Sequence, residues 1–437
     1  MRFGEVVVAA HGRDTATTSW DEDLRLVYDV SPHLADVPAA GFPPFSSSTM
    51  PSPRITAVIL TCDEEERVGQ CINALAADVD EVLVIDSGSR DSTLQVVRQS
   101  GIPTRVIESP WQKDFARQRN LAFDHVTDGW IVMVDADEEL APASVGALRR
   151  CLTVLDLVLP DVDLAVCPEI ADVDDQGGIY TDLPRALRSR TSLRYKGRIH
   201  ERPYDQEGNC PLTARVSVRF THHGYQPEVI EAKKKLQRHN DLLELCRNDE
   251  PHNSKWTYYH AREQLVETLT PTRARELFDL LSESLTHCPP GASDYVAERL
   301  QDSWALLCEL ALRFGGANEI SHFAGLLRSV DRHVEATYFE TVVAASQTLS
   351  RLSQLADSAA AASARDGRST PRDAGRLHEL YGLLALASGR YDEARTALDQ
   401  AKARGSGAQL STEIANLRTM LSHLDNTPTQ EPADQAP

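Results

Sequence analysis

Short apolar runs alternate with amphipathic stretches through the first half of the chain. Ile55 to Leu60, Glu81 to Ile85, Arg105 to Ile107 and Trp130 to Val134 are compact, rich in β-branched residues, and predict four strands. Between them, Arg67 to Ala77, a stretch that Ser92 can cap and that runs through Ser100, and Phe115 to Val126 predict helices. Strand and helix in turn predict an α/β domain, a Rossmann-like, mostly parallel sheet wrapped by helices. Ahead of it, Val6 to Ala10 reads as a small strand. Phe42-Pro-Pro-Phe-Ser-Ser-Ser-Thr-Met-Pro-Ser-Pro53 reads as a linker that cannot pack a core. Residues 1–53 are therefore expected to be a partly disordered extension, and the first domain to run from 54 to 232.

From Lys233 the pattern changes to helix after helix, rich in Ala, Leu, Glu and Arg, which predicts an all-α domain over 233–425. Gly382, Gly389, Tyr391, Ala394, Leu398 and Ala401 have the spacing of a tetratricopeptide-like hairpin, in which small residues let two helices approach. Trp256 to Glu263 followed by Ala274 to Leu277 reads as a looser copy. Ala359 to Thr370 reads as a polar interruption, and residues 426–437 as a disordered tail.

Charge narrows the partners. The 437 residues carry 45 basic and 65 acidic side chains, a formal charge of −20, which repels nucleic acid and anionic membrane over most of the surface. An anionic ligand must then meet a local positive site. The eight cysteines form no Cys-x-x-Cys pair, so zinc ligation and a disulfide framework are both disfavoured and reduced thiols of a cytoplasmic protein are expected. No apolar run approaches the roughly 20 residues that a membrane-spanning helix needs.

In open α/β sheets ligands bind beyond the carboxyl ends of the strands, and here those ends are polar. The first strand runs into Thr61-Cys-Asp-Glu-Glu65, the second into Asp86-Ser-Gly-Ser-Arg-Asp91, and the fourth into Asp135-Ala-Asp137. Residues two apart on an extended segment project to one side, so Asp135 and Asp137 are expected to address one hard cation and the diphosphate it carries. Taken alone, such a cluster is more often a solvated helix start; a fully apolar strand before it and two further polar strand ends favour a metal site. Asp86 could accept the imino N–H of uracil, with Ser87 and Gly88 allowing close approach, or it could simply form a turn and cap with Asp91 and Ser92. Arg117, Arg119 and Asn120 lie on a helix just before the Asp-x-Asp strand, where an arginine suits phosphate, although lone arginines are more often surface charge.

Together these motifs resemble family-2 glycosyltransferases of the GT-A type over residues 54 to about 240. Thr61-Cys-Asp-Glu-Glu65 is similar to the family's T-x-N-E-E, Asp86-Ser-Gly-Ser-x-Asp91 to D-S-G-S-x-D, Arg119-Asn120 to its R-N pair and Asp135-Ala-Asp137 to D-x-D. Asp63 stands where the family usually has Asn, and Cys62 where Lys is frequent. Arg185-Ala-Leu-Arg188 resembles R-L-F-R, Gly197-Arg-Ile-His-Glu201 resembles G-x-x-H-E, and His222-His-Gly-Tyr225 resembles H-x-G-Y. The resemblance implies that Asp86 reads the base and that Thr61, Glu65, Ser87, Gly88, Arg119, Asp135 and Arg188 line the nucleotide-sugar site. Asp137 would ligate Mn or Mg. His222 would complete the metal shell or contact the diphosphate, or would pack between domains. Glu201 is the expected base, with His200 as substitute or as its orienting partner.

The expected activity is transfer of a sugar from a UDP-sugar with inversion at the anomeric carbon. The fused helical domain resembles that of peptide glycosyltransferases, which implies a peptide or protein side chain (Ser, Thr or Cys) as acceptor and leaves room for a homodimer. A saccharide or lipid-linked acceptor is the alternative within the class, and a binding scaffold with a relic catalytic fold the alternative outside it. A nucleotidyltransferase would need a Gly-rich, basic loop after the first strand, where this chain is acidic.

Overall fold

The computed structural model describes residues 1–12, 19–41, 52–173, 178–223, 232–364 and 370–406. Among them are twelve strands: β1 (Val27–Val30), β2 (Ile55–Thr61), β3 (Glu81–Asp86), β4 (Thr104–Glu108), β5 (Trp130–Asp135), β6 (Glu138–Leu140), β7 (Leu164–Asp172), β8 (Ile179–Tyr180), β9 (Ala186–Arg188), β10 (Arg194–Lys196), β11 (Arg202–Tyr204) and β12 (Leu212–His222). One sheet runs in the order β1-β12-β7-β9-β5-β2-β3-β4, with β6 paired to β12 and β8 to β7, while β10 and β11 form a separate hairpin. β5, β2, β3 and β4 are parallel neighbours, as the alternating pattern predicts, and β7 runs parallel to β12. β9 is antiparallel to both β5 and β7.

Strands β2, β3 and β5 are buried on both faces, which explains why their sequences are near-continuous apolar runs rather than alternating ones. Phe115–His125 lies across β2, β3 and β5 through Ala116, Ala122 and Phe123. Asp114 caps it by accepting from the Arg117 backbone N–H at 2.8 Å, a contact that stabilises a helix by about 1 kcal/mol. A helix returning between parallel strands starts at their carboxyl edge, so this cap brings the helix start to the ligand side of the sheet.

The amino-terminal segment is not the loose extension expected. Phe3–His11 is a helix rather than a strand, and its buried Phe3, Val6, Val7 and Ala10 follow the i, i+3, i+4, i+7 spacing of a helix face. With Trp20, Leu24 and Val27 these residues join the same core as Val154 and Leu155, and β1 pairs antiparallel with β12. Most of the linker-like stretch, 42–51, lies outside the described residues.

The chain divides into two units, Met1–Leu306 and Leu307–Pro437. This break falls well after the expected one at 232/233. Helices Ser254–Glu263 and Asp294–Ala297 belong with the sheet because they close over β10, β11 and the 197–201 loop. There Lys255 pairs with Glu298, and the Tyr204 hydroxyl donates to Glu298 at 2.7 Å. The Trp256 ring sits where a Cβ on Gly197 would fall 2.9 Å away. In the second unit, Pro371–Ala387 and Tyr391–Ala403 make a helical hairpin. A Cβ on Gly382 would come 2.5 Å from Leu398 Cδ2, so the small residue permits the contact as expected. The expected interruption begins later than read: His333–Ser363 is one helix through Ser363.

Candidate active site

Register places the polar strand ends side by side. Thr61 is level with Asp86 and Leu60 with Asp135, so the carboxyl tips of β2, β3 and β5 meet at one edge. Asp86 is buried and accepts four hydrogen bonds: from Thr61 Oγ1 at 3.0 Å, from the Gly88 and Ser89 backbone N–H groups at 2.9 Å each, and from the Ser89 hydroxyl. Burial works against its charge, yet the donors, led by Ser89, outweigh it and hold the carboxyl below its usual range. Gly88, at φ +106°, has the left-handed backbone that this turn needs. Four donors use the roughly four acceptor sites of a carboxylate, so Asp86 first of all builds the turn, and a base N–H would have to displace the rotatable Ser89 hydroxyl. Ser87 donates its N–H to Thr61 O at 2.8 Å. Glu65 is exposed and accepts from Ser92 N at 2.7 Å, at the start of helix Thr93–Arg98, which ties the first two loops together.

The centre of the site is a chain of ion pairs. Arg119 donates through Nη2 to Asp135 at 2.8 Å and through Nε to Glu201 at 2.7 Å. Arg185 donates to the other Asp135 oxygen at 2.9 Å and also pairs with Glu138. Desolvation opposes ionisation of Asp135, but Arg185 and Arg119 dominate and drive its carboxyl far below the ordinary range. Desolvation prevails at Glu138, which is raised to about 7. Asn120 exchanges two hydrogen bonds with the Tyr195 backbone, both at 2.9 Å, and so fixes the β10–β11 hairpin against the Arg119 helix. Arg117 projects to solvent.

Asp135 and Asp137 have different partners. β5 ends at Asp135 and the chain turns over Ala136 and Asp137, so the two-residue alternation of a strand no longer applies. Asp137 lies instead beside His222, with Oδ2 and Nε2 3.4 Å apart, and His222 Nδ1 is 2.8 Å from Asp172. Burial disfavours the imidazolium, but Asp137 and then Asp172 overcome this and raise His222 to about 9. Among the described residues no group of three or more His, Cys, Asp or Glu side chains stands ready to hold an ion. Two protein donors still suit Mg or Mn, which are commonly held by one or two side chains together with substrate phosphates and water. An imidazole oriented through its second nitrogen by a carboxylate, as Asp172 does here, is the usual support of a metal-binding histidine.

Two expected residues are elsewhere. Arg188 pairs with Asp156, donates to Leu159 O at 2.6 Å and lies over the Trp130 ring, at the opposite end of β5. Because β9 runs antiparallel to β5, residue 185 lands beside the tip of β5 and residue 188 at its start. The first arginine of the motif is therefore the one in the site. His200 faces away from the carboxylates: its ring stacks on Tyr259, centroids 3.8 Å apart at 7°, and burial followed by His239 and Arg262 lowers it to about 2. Such an imidazole is too weakly basic to accept a proton in catalysis. Its backbone, at φ +52°, turns the chain so that Glu201 meets Arg119. Glu138 and Asp172 escaped sequence reading. Glu138 adjoins the Asp-x-Asp run and could have been suspected, whereas Asp172 reaches His222 only through the β7–β12 register. Tyr225 lies outside the described residues.

Residues 56–195 match the model of "Glycosyl transferase family 2". The SPbeta prophage-derived glycosyltransferase SunS of Bacillus subtilis (strain 168) is 25% identical over 342 residues, covering 77% of this chain and 78% of that protein. The lipopolysaccharide core biosynthesis glycosyltransferase LpsC of Rhizobium meliloti (strain 1021) is 31% identical over 113 residues, 25% of this chain and 41% of LpsC. Among solved structures, TarS 1-349 of S. aureus superimposes with a TM-score of 0.33 at 14% identity, covering 68% of this chain and 91% of that one. No helix among the described residues is long and apolar enough to cross a membrane. The chain carries a family-2 glycosyltransferase domain and is a glycosyltransferase enzyme.

Proposed function

We propose that the enzyme moves a sugar from a nucleoside-diphosphate sugar, UDP-linked on our reading, to an acceptor nucleophile with inversion at the anomeric carbon. The observation that carries this is the single ion-pair chain from Glu201 through Arg119 to Asp135 and Arg185, set beside Asp137 and His222 at the tips of neighbouring strands. Asp137 and His222 would hold Mn or Mg, which when bound neutralises the charge of the leaving diphosphate. Thr61, Asp86, Ser87 and Gly88 shape the pocket for the nucleoside. Arg119 aims Glu201 by gripping Oε1, and among the described residues no protein donor meets Oε2, which is the oxygen we assign to accept the acceptor's proton.

The preferred acceptor is a peptide or protein side chain. Supporting this, helices of the second unit line an open cavity of about 910 Å³ with Ile320, Val342, Gln347 and Arg351 in its wall, and helical repeats commonly bind extended peptides on such surfaces. The eight cysteines are free thiols, which fits a cytoplasmic setting. A saccharide acceptor is the second reading, favoured by the relative named for lipopolysaccharide core biosynthesis. The test is Glu201→Gln assayed with donor and candidate acceptors. Donor affinity should be kept while transfer falls by roughly 100-fold or more; wild-type transfer would remove Glu201 from the role of base.

A further inference from the structure

A diphosphate reaching the tip of β5 meets guanidinium groups that are already engaged. Arg119 and Arg185, the two guanidinium groups at the tip of β5, are each committed to two carboxylates, and the loops after β2 and β3 add Asp63, Glu64, Glu65 and Asp91 against Arg90. Another cation reaches the same edge from outside the 56–195 segment. Helix Ala232–Asp249 is fastened to the 197–201 loop at two places: Asp249 takes Arg198 in an ion pair at 2.5 Å, and the His239 ring lies edge-on to His200 at 5.1 Å. One residue before His239, Arg238 extends over two aromatic rings, with Cζ 4.9 Å from the Trp111 centroid and 5.2 Å from that of Phe115.

The address of these rings is what matters. Phe115 opens the helix that bears Arg119 one turn later, and its N–H donates to Arg198 O at 2.9 Å, so the rings stand at the carboxyl edge next to the Glu201 loop. Burial and Asp63 raise the Cys62 thiol and Arg238 opposes them, consistent with its charge standing close to the loop after β2. Arg238 is exposed, and no carboxylate pairs with it among the described residues. An aromatic face attracts a guanidinium yet takes none of its in-plane N–H donors, which stay available to an oxyanion. Stacking also holds the long side chain in place beforehand, so less conformational freedom is lost when a ligand arrives.

We propose that Arg238, laid on Trp111 and Phe115, is a binding residue for the diphosphate of the nucleotide-sugar donor. This rests on the functional reading above and adds to it a residue contributed by the helix that follows the catalytic sheet. The arrangement makes a divided site: strand tips would bring the metal-binding side chains, and this later helix a guanidinium that is held by two rings and engaged by no carboxylate among the described residues.

The experiment compares UDP with uridine as probes, titrated into the full chain at a fixed Mn concentration, for wild type, Arg238→Gln, Arg238→Lys and Trp111→Leu. Arg238→Gln should weaken UDP by roughly ten- to a hundred-fold, the scale of a lost charged hydrogen bond, and leave uridine unchanged. Arg238→Lys should fall between, since it keeps the charge but not the fork, and Trp111→Leu should weaken UDP because the cation is no longer held. Equal affinity of wild type and Arg238→Gln for UDP overturns the assignment while leaving the functional reading intact. Parallel loss of UDP and uridine overturns it in favour of a packing role. A wild-type protein that binds neither probe overturns the functional reading itself.

Discussion

Asp135 and Glu201, on separate elements, are gripped by one guanidinium: Arg119 lies 2.8 Å from the first and 2.7 Å from the second. The strand tip and the loop carrying the assigned base therefore cannot move independently. Removing Arg119 leaves the largely enclosed Glu201 without its counter-charge and Asp135 with Arg185 alone. Arg119→Gln should lower the unfolding free energy by roughly 3 kcal/mol, read from denaturant midpoints, and should depress transfer as well. A stable, fully active variant would show that the bridge is incidental.

The two arginines of the Arg185-Ala-Leu-Arg188 stretch should separate cleanly. Arg185→Met leaves Asp135 to Arg119 alone and strands Glu138, and kcat/KM should drop by roughly 100-fold through loss of positioning. Arg188→Met takes the donor from Leu159 O and Val162 O at the far end of the sheet, so it should cost about 1–3 kcal/mol of stability and leave kcat/KM close to wild type. Steady-state kinetics alongside urea unfolding distinguishes them; the reverse pattern would contradict the assigned register.

His200 gives the protein an acid sensitivity of definite sign. Its folded pKa, about 2, lies below the ordinary 6.5. Above pH 6.5 neither state binds the proton and stability does not depend on it; below that value the unfolded chain takes a proton that the folded one refuses. Stability should fall by about 1.4 kcal/mol per pH unit, or about 2 kcal/mol at pH 5. His200→Phe keeps a ring against Tyr259 and removes the titration. Urea unfolding at pH 7.5 and 5.0 should therefore show a smaller drop for the variant, and identical drops would refute the buried, neutral imidazole.

Asp86 is predicted to matter twice. Asp86→Ala removes the acceptor of all four hydrogen bonds, two of them from the Gly88 and Ser89 backbone N–H groups, at a cost of about 1–3 kcal/mol. The same change should reduce uridine affinity measured by calorimetry, because the turn that shapes the pocket loosens. Unaltered uridine binding would confine Asp86 to a structural role.

What the sequence disclosed and what it hid follow from range. Strands β2 to β5 and the Arg119 helix were legible because their signals are local: apolar runs, a cap and period-3.6 spacing. The helix at Phe3–His11 was hidden by a dense Val-Val-Val run that looks strand-like until burial of Phe3 and Ala10 reveals the helical period. At the site, residue types were readable but directions were not. Asp135 and Asp137 take different partners where the strand stops between them, and Arg185 replaces Arg188 because β9 is antiparallel to β5. The partnership of His222 with Asp172 depends on pairing between β7 and β12, which no local pattern encodes. The reach of the catalytic unit to residue 306 likewise depends on contacts made far along the chain, such as Lys255 with Glu298 against Tyr204.

The central claim is that Asp137, at the tip of β5, supports release of a nucleoside diphosphate from a sugar donor. The most direct measurement is free nucleoside diphosphate formed from a panel of UDP- and GDP-sugars with and without Mn, for wild type and Asp137→Ala. Release from one donor class, dependent on Mn and lost in the variant, is expected; release that is equal in Asp137→Ala, or absent from every donor with Mn present, would remove Asp137 from this role.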